Sequence, residues 1–163
     1  MMDSPQFYLR SLEQKDLPTI ASFEREIAKI SFPDDPITDL NFYIDKMKRL
    51  IGDNNVAAFV VDAGGEAVGW AYASRRQNFI TKKAYGDFHS IYISPTFRGT
   101  GVSKALMNAV FDFCKRRGLD RVVFRTRSTN EPMKAVLARS GFVPTQIYYE
   151  KELGEGAAGL AEE

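Results

Sequence analysis

The chain has 163 residues, 44% of them hydrophobic, enough for one domain with a real core and too few for two ordinary ones. Its 22 Lys and Arg against 21 Asp and Glu leave a net charge of +1, which offers no global field to nucleic acid or an anionic membrane, so any polyanion must be held locally. Cys114 is the only cysteine and His89 the only histidine, which excludes an intrachain disulfide and every multi-cysteine metal site, and no metal is expected. The opening "MMDSPQFYLRSLEQKD" has no apolar signal core and no run nears the roughly 18 apolar residues of a membrane span, so a reduced, cytoplasmic protein is expected.

In chain order, residues 6–12 suit a strand, and Asp16 stands as a cap ahead of Pro18 for a helix running to about Ile30. "SFPDDPITD" at 31–39 is a loop, broken by its prolines. A second helix carries Ile37, Leu40, Tyr43, Ile44, Met47, Leu50 and Ile51 as one apolar stripe. Residues 55–77 read as a hairpin around "DAGGE", whose paired glycines can take the positive φ of a tight turn. A basic loop at 78–86 leads to the strand "DFHSIYIS", ending at Pro95. A helix then carries Val102, Ala105, Leu106, Ala109, Val110, Phe113 and Cys114 on its apolar face and stops at Gly118. "RVVFRTRS" is a strand, "EPMKAVLARSG" a helix capped by Asn130, and "FVPTQIYYEKEL" a last strand. Residues 1–153 are thus one domain, and the small, acidic tail 154–163 is expected to be disordered. The order β α α β β β α β α β predicts a mixed α/β sheet with helices on both faces.

The chemistry-bearing stretch is "SPTFRGTGVSKAL". A helix starting near Gly99 offers unpaired backbone N–H groups and the positive end of its dipole, and glycines 99 and 101 let an anion approach the backbone. Many strand-to-helix turns carry glycine for geometry alone, so the turn by itself is compatible with either a phosphate cradle or a bend. A P-loop is excluded by the missing Gly-Lys-Ser/Thr, and a dinucleotide fingerprint by Lys104 in the third glycine slot.

"IYISPTFRGTGVSKALM" resembles the acetyl-CoA signature of the GNAT superfamily of N-acetyltransferases, R/Q-x-x-G-x-G/A after a strand and a proline. Arg98 and Gly101 match it, and Ser103 stands where Gly or Ala is usual. "NEPMKAVLARSGF" resembles the second family motif, with Asn130 opening a helix and Gly141-Phe142 closing it. "GWAYAS" with "SIYISP" bears a lesser resemblance to the phosphinothricin acetyltransferase-like branch. The resemblance implies a twisted, mostly antiparallel sheet of six to seven strands, splayed between strands 4 and 5, with acetyl-CoA in the splay as co-substrate. Carried over by position, it places backbone amides of Arg98, Gly99, Thr100, Gly101, Val102 and Ser103, with Lys104 adjoining, around the pyrophosphate. Ile93 offers its N–H to the thioester carbonyl, Ile91 lines the same edge, and Asn130 reaches the pantetheine arm or simply caps its helix.

The implied reaction is acetyl transfer to a primary amine by direct attack. A base must free the amine of its proton, and the family's usual glutamate is missing. His89 is the one side chain whose unperturbed pKa of about 6.5 suits that task. Strand alternation puts it on the face of Ile91 and Ile93, with Asp87 as the second candidate. The tyrosine that commonly protonates the leaving thiolate is replaced by Leu137, so the acid is either absent, tolerable for a thiol pKa near 8.5, or supplied by another group, Tyr148 and Tyr149 being available. These departures keep open an alternative, a catalytically weak CoA-binding sensor or scaffold. Asp34 and Asp35 could attract a cationic amine, and Arg75, Arg76, Lys82 and Lys83 an acidic group; both sets also describe solvated loops. The acceptor is expected to be a small-molecule or peptide amine, with a homodimer as a possible assembly and no nucleic-acid or membrane partner.

Overall fold

The structure, a computed structural model, describes residues 6–154. Five strands form one sheet in the order β1 (Tyr8–Ser11), β2 (Val56–Ala63), β3 (Glu66–Gln77), β4 (Ala84–Ile93), β5 (Val122–Phe124). The first four pair antiparallel and β5 joins β4 in parallel. The helices are α1 (Leu17–Ser31), α2 (Leu40–Lys48), α3 (Val102–Arg116) and α4 (Glu131–Arg139).

Alternation along the central strands sorts the core onto two faces. Val60, Trp70 and Tyr72 pack with Leu17, Ile20, Phe23 and Met47 under α1 and α2. Their chain neighbours Val61, Ala71 and Ala73 pack with Val102, Leu106, Val110 and Phe113 under α3. Helices on both faces are therefore present as expected, and the stripe with Met107, Phe113 and Cys114 is core. β3 supplies small residues to the α3 face, so that helix lies close. A Cβ built on Gly69 meets Val102 Cγ1 at 3.3 Å, and one on Gly86 meets Cys114 Sγ at 2.5 Å.

The edge strand β1 is fixed electrostatically. Arg10 donates to both oxygens of Asp16, at 2.7 and 2.8 Å, and to Asp62 Oδ2 at 2.9 Å. Asp62 also accepts the Gly65 N–H of the β2–β3 turn at 2.9 Å. The Arg10 hydrogen bond holds the Asp62 carboxyl below the usual carboxylate range against the cost of its burial. The Asp16 carboxylate, expected to cap α1, instead accepts from Arg10 and from Glu13 N–H.

Among the described residues the sheet has five strands, against the six to seven expected. β5 stops at Phe124, although the pattern "RVVFRTRS" runs to Ser128, because its only partner β4 pairs with it no farther than Phe88–Phe124. Residues 142–153, expected as a last strand, carry no strand, and Val143, Ile147, Tyr148, Tyr149 and Leu153 are exposed. A β-rich pattern makes a strand only where a ladder partner is supplied. The tail expected to be disordered falls, from residue 155 on, outside the described residues.

Candidate active site

The site grows from an irregularity in β4. Tyr72 of β3 pairs with Ser90 and Ala73 with Phe88, so His89 is an extra residue, a β-bulge. The bulge shifts the phase of the strand. Phe88 and Ile91 both pack against the α3 core, whereas Asp87 and His89 lie on the α1–α2 side. The expectation that His89 shares a face with Ile91 and Ile93 is thereby corrected, since alternation fails across an inserted residue.

The bulge coincides with the parting of the strands. β5 accompanies β4 only over Gly86–Phe88, and from His89 to Ile93 no strand among the described residues pairs with that edge of β4. Gly86 N–H donates to Arg121 O beside β5, while Ser94 N–H donates to Val68 O beside β3. Alternation back from Ser94 turns the N–H groups of Ile93 and Ile91 toward the open edge. Two backbone donors therefore line the cleft, and it is the bulge that brings these odd-numbered residues into that phase.

At the end of the cleft, Pro95–Phe97 form a single 3-10 turn, and Gly99 and Gly101 follow at φ 77° and 90°, values that favour glycine. Gly101 caps α3, whose first intrahelical bond is Ala105 N–H to Gly101 O, leaving the amides of Val102, Ser103 and Lys104 free to meet an anion at the positive end of the helix. Nothing lies within 4 Å of a Cβ built on Gly99 or Gly101, so the approach is open. Arg98 donates from Nε to Ile93 O at 3.1 Å and lies over the Tyr92 ring, while the Thr100 hydroxyl donates to Phe97 O. These bonds fix the turn to the end of β4. The cradle suits a pyrophosphate, and the candidate cofactor residues from Ile91 to Lys104 are contiguous along it. Asn130 lies apart in role: its side chain accepts from Met133 N–H at 3.2 Å and caps α4.

On the other face, His89 stacks on Tyr72 with centroids 4.7 Å apart. Its Nε2 shares a 2.6 Å hydrogen bond with Ser74 Oγ, and its Nδ1 lies 4.0 Å from Asp87 Oδ2. Burial pushes the imidazole below its ordinary pKa; Asp87 opposes that shift, and the charges of Arg76, Lys46 and Arg125 reinforce it. His89 is consequently neutral at neutral pH and able to accept a proton. Asp87 is almost fully buried and committed to two guanidiniums, with Arg125 NH1 at 2.8 Å and Arg76 Nε at 3.1 Å. Asp87 and His89 are thus together, and Asp87 links β4 to Arg76 of β3 and to Arg125 just beyond β5. Leu137 is buried in the core, and Tyr148 and Tyr149 are exposed beyond α4.

Sequence reasoning missed Glu24. It projects from α1 beneath the sheet, where its carboxylate accepts from Trp70 Nε1 at 2.8 Å and from Ser90 Oγ at 3.2 Å. Burial pushes its pKa up, against the two hydrogen bonds and the charge of Lys46. The available signal was its position: Glu24 continues the apolar stripe Leu17, Ile20, Ala21 at helical spacing, where a carboxylate needs a specific reason to stand. It ties α1 to the residue just after the bulge.

A surface hollow of about 380 Å³ lined by Asn78, Lys83, Tyr85 and Arg121 lies at the opposite end of β4 from the glycine turn and shares none of this chemistry.

Residues 17–142 match the acetyltransferase (GNAT) family, and the chain belongs to it. It is 33% identical over 90 residues to an uncharacterized N-acetyltransferase of Methanocaldococcus jannaschii, an alignment covering 55% of this chain and 40% of that protein. It is 28% identical over 109 residues to the aminoglycoside N(6')-acetyltransferase type 1 of Salmonella typhimurium, covering 64% of this chain and 75% of the relative. The fold is similar to that of an aminoglycoside N-acetyltransferase solved in complex with CoA, with TM-score 0.73 at 23% identity over 91% of this chain and 96% of the other. Among the described residues no helix is long and apolar enough to cross a membrane, and no cluster of ligating side chains could hold a metal ion.

Proposed function

We propose that this protein is an acetyl-CoA-dependent N-acetyltransferase that moves an acetyl group to a primary amine by direct attack within a ternary complex. The observation that carries the reading is the open edge of β4, where the Ile93 N–H faces the cleft and leads directly into the glycine turn at the head of α3. Acetyl-CoA supplies the acetyl thioester. The amides from Arg98 to Ser103 hold its pyrophosphate, with Lys104 adding charge at the rim, and Ile91 and Ile93 align the pantetheine arm. As the amine attacks, charge develops on the carbonyl oxygen, and a preorganised N–H such as that of Ile93 stabilises it by a few kcal/mol, roughly 2.7–4 where single donors have been removed. The rest of the acceleration comes from holding amine and thioester in line.

His89 takes the proton from the incoming ammonium, directly or through the Ser74 hydroxyl to which it is bonded. Asp87, held by Arg76 and Arg125, positions that imidazole. The acceptor enters from the α1–α2 side, where the exposed Asp34 and Asp35 of the intervening loop favour a cation. The Salmonella relative's name makes a polyamine of the aminoglycoside type the first acceptor to try. Mixing protein, acetyl-CoA and a panel of aminoglycosides, small amines and peptides while following free thiol tests the proposal; absence of acceptor-dependent thiol release across the panel sinks it. The alternative, a CoA-binding sensor without turnover, predicts tight binding by calorimetry together with that same absence.

A further inference from the structure

On the α1–α2 side of the sheet the cover over β3 ends at Tyr72. Trp70, Tyr72, Ser74 and Arg76 alternate onto that face; the first two are buried, Ser74 is half-buried and Arg76 is exposed. His89 lies at the border of this uncovered apron, bonded to Ser74. The charges gathered around it do not balance. Arg76 and Arg125 both pair with Asp87, yet one carboxylate neutralises only one guanidinium, and the two arginine side chains remain 59% and 68% exposed. Lys46 of α2 is exposed and makes no ion pair among the described residues. All three cations are close enough for their charges to act on the imidazole. Glu24, the other buried acid of this face, is sealed between Trp70 and Ser90, where burial favours its neutral form.

We propose, on the acetyltransferase reading above, that the acceptor amine also carries an oxyanion, a carboxylate or a phosphate, which docks among Lys46, Arg76 and Arg125 beside His89. Each guanidinium commits one nitrogen to Asp87, Nε of Arg76 and NH1 of Arg125, and has the rest of its planar fork for a second partner, a geometry that suits an oxyanion. The proton transfer strengthens the need. On taking the ammonium's proton His89 becomes a fourth cation at this spot, and an oxyanion on the acceptor itself offsets that charge. The acceptor therefore brings both signs: an ammonium, which Asp34 and Asp35 of the α1–α2 loop favour, and an oxyanion, which the cations favour. A polyamine brings only ammonium groups and meets like charge beside the base.

His89 is the only histidine, so its ring protons give isolated NMR signals, a readout that needs no acetyl transfer. Titrating the CoA-bound protein at fixed pH with N-acetyl-β-alanine or N-acetylphosphoethanolamine is expected to move those signals saturably, and the uncharged N-acetyl-β-alaninamide to leave them in place. K46E, with unchanged circular dichroism, is expected to bind the anions about fivefold more weakly, the scale of one exposed ion pair. Transfer supplies the second arm: the kcat/KM ratio of β-alanine to β-alaninamide, or of phosphoethanolamine to ethanolamine, is expected to fall about fivefold in K46E. The pair with the larger fall identifies the oxyanion as carboxylate or phosphate. No transfer to any amine, with histidine signals that still follow the anions, would support the anion site and overturn only the acetyltransferase reading. Signals that ignore both anions or move equally with the amide, or a K46E variant that slows charged and uncharged amines alike, would each overturn the oxyanion.

Discussion

Replacing His89 by alanine removes the one neutral imidazole at the cleft. General base catalysis is worth about 10²- to 10⁴-fold, so kcat/KM for a primary amine is expected to fall by about that factor in H89A while the Kd for CoA, set by backbone amides, stays within about twofold. The pH profile sharpens the test. Burial, the largest influence on His89, lowers its pKa from 6.5, so the basic form predominates above an inflection lying below that value. Activity of the native protein should rise with pH through that inflection and level off by neutrality. In H89A the inflection disappears and the residual rate follows deprotonation of the free amine. The fold responds with the matching sign: the folded state binds the proton less readily than the unfolded chain, so stability is fully present above about 6.5 and lost as pH falls through the folded pKa. The assay is thiol release at saturating acetyl-CoA between pH 5 and 9. An H89A variant within threefold of native that keeps the same inflection would falsify the assignment of His89 as base.

Glu24 predicts the opposite pH behaviour. Its raised folded pKa means that its stability contribution is greatest below its unfolded pKa and declines as pH rises through the folded one, so the gap in urea midpoint between E24Q and native should widen in favour of E24Q from pH 5 to pH 8. A pH-independent gap would refute the buried-carboxylate account. G86A drives its new Cβ onto Cys114 Sγ, costing about 1–3 kcal/mol in overpacking; the double variant G86A/C114A should recover part of that loss in chemical denaturation, and simple additivity would exclude the clash. G101V forces a branched side chain into φ 90° at the head of α3, for a backbone cost of about 1–2 kcal/mol. Calorimetry should show CoA affinity down at least tenfold, and unchanged affinity would remove the turn from the binding site.

The parts of the fold that were legible in the sequence are those specified locally. The stripe of α3, the paired glycines of the β2–β3 hairpin and the Asn130 cap each declare themselves within a few residues, and each stands in the structure where the pattern puts it. The glycine turn was legible for the same reason. The bulge was not. "DFHSIYI" alternates as well as a regular strand does, and only the register against β3 shows that His89 has no partner. Glu24 was hidden because its two hydrogen-bond partners lie 46 and 66 residues away. The ends of β5 and the residues after Phe142 were overread, because side-chain preference reports fitness for a sheet and not the presence of a neighbour.

The inserted residue in β4 has a consequence for how this protein can change. Upstream of it the strand answers to β5 and the buried sheet; downstream the same strand answers to the cleft, and the two halves keep separate counts of inside and outside. Substitutions on one side of His89 therefore leave the other side's phase untouched. A deletion at His89 would remove the imidazole and the local kink while leaving Phe88 against Ala73 and Ser90 against Tyr72, so that both halves keep the pairings they have. The strand is in effect spliced, a scaffold joined to a reading edge, and the splice is one residue long.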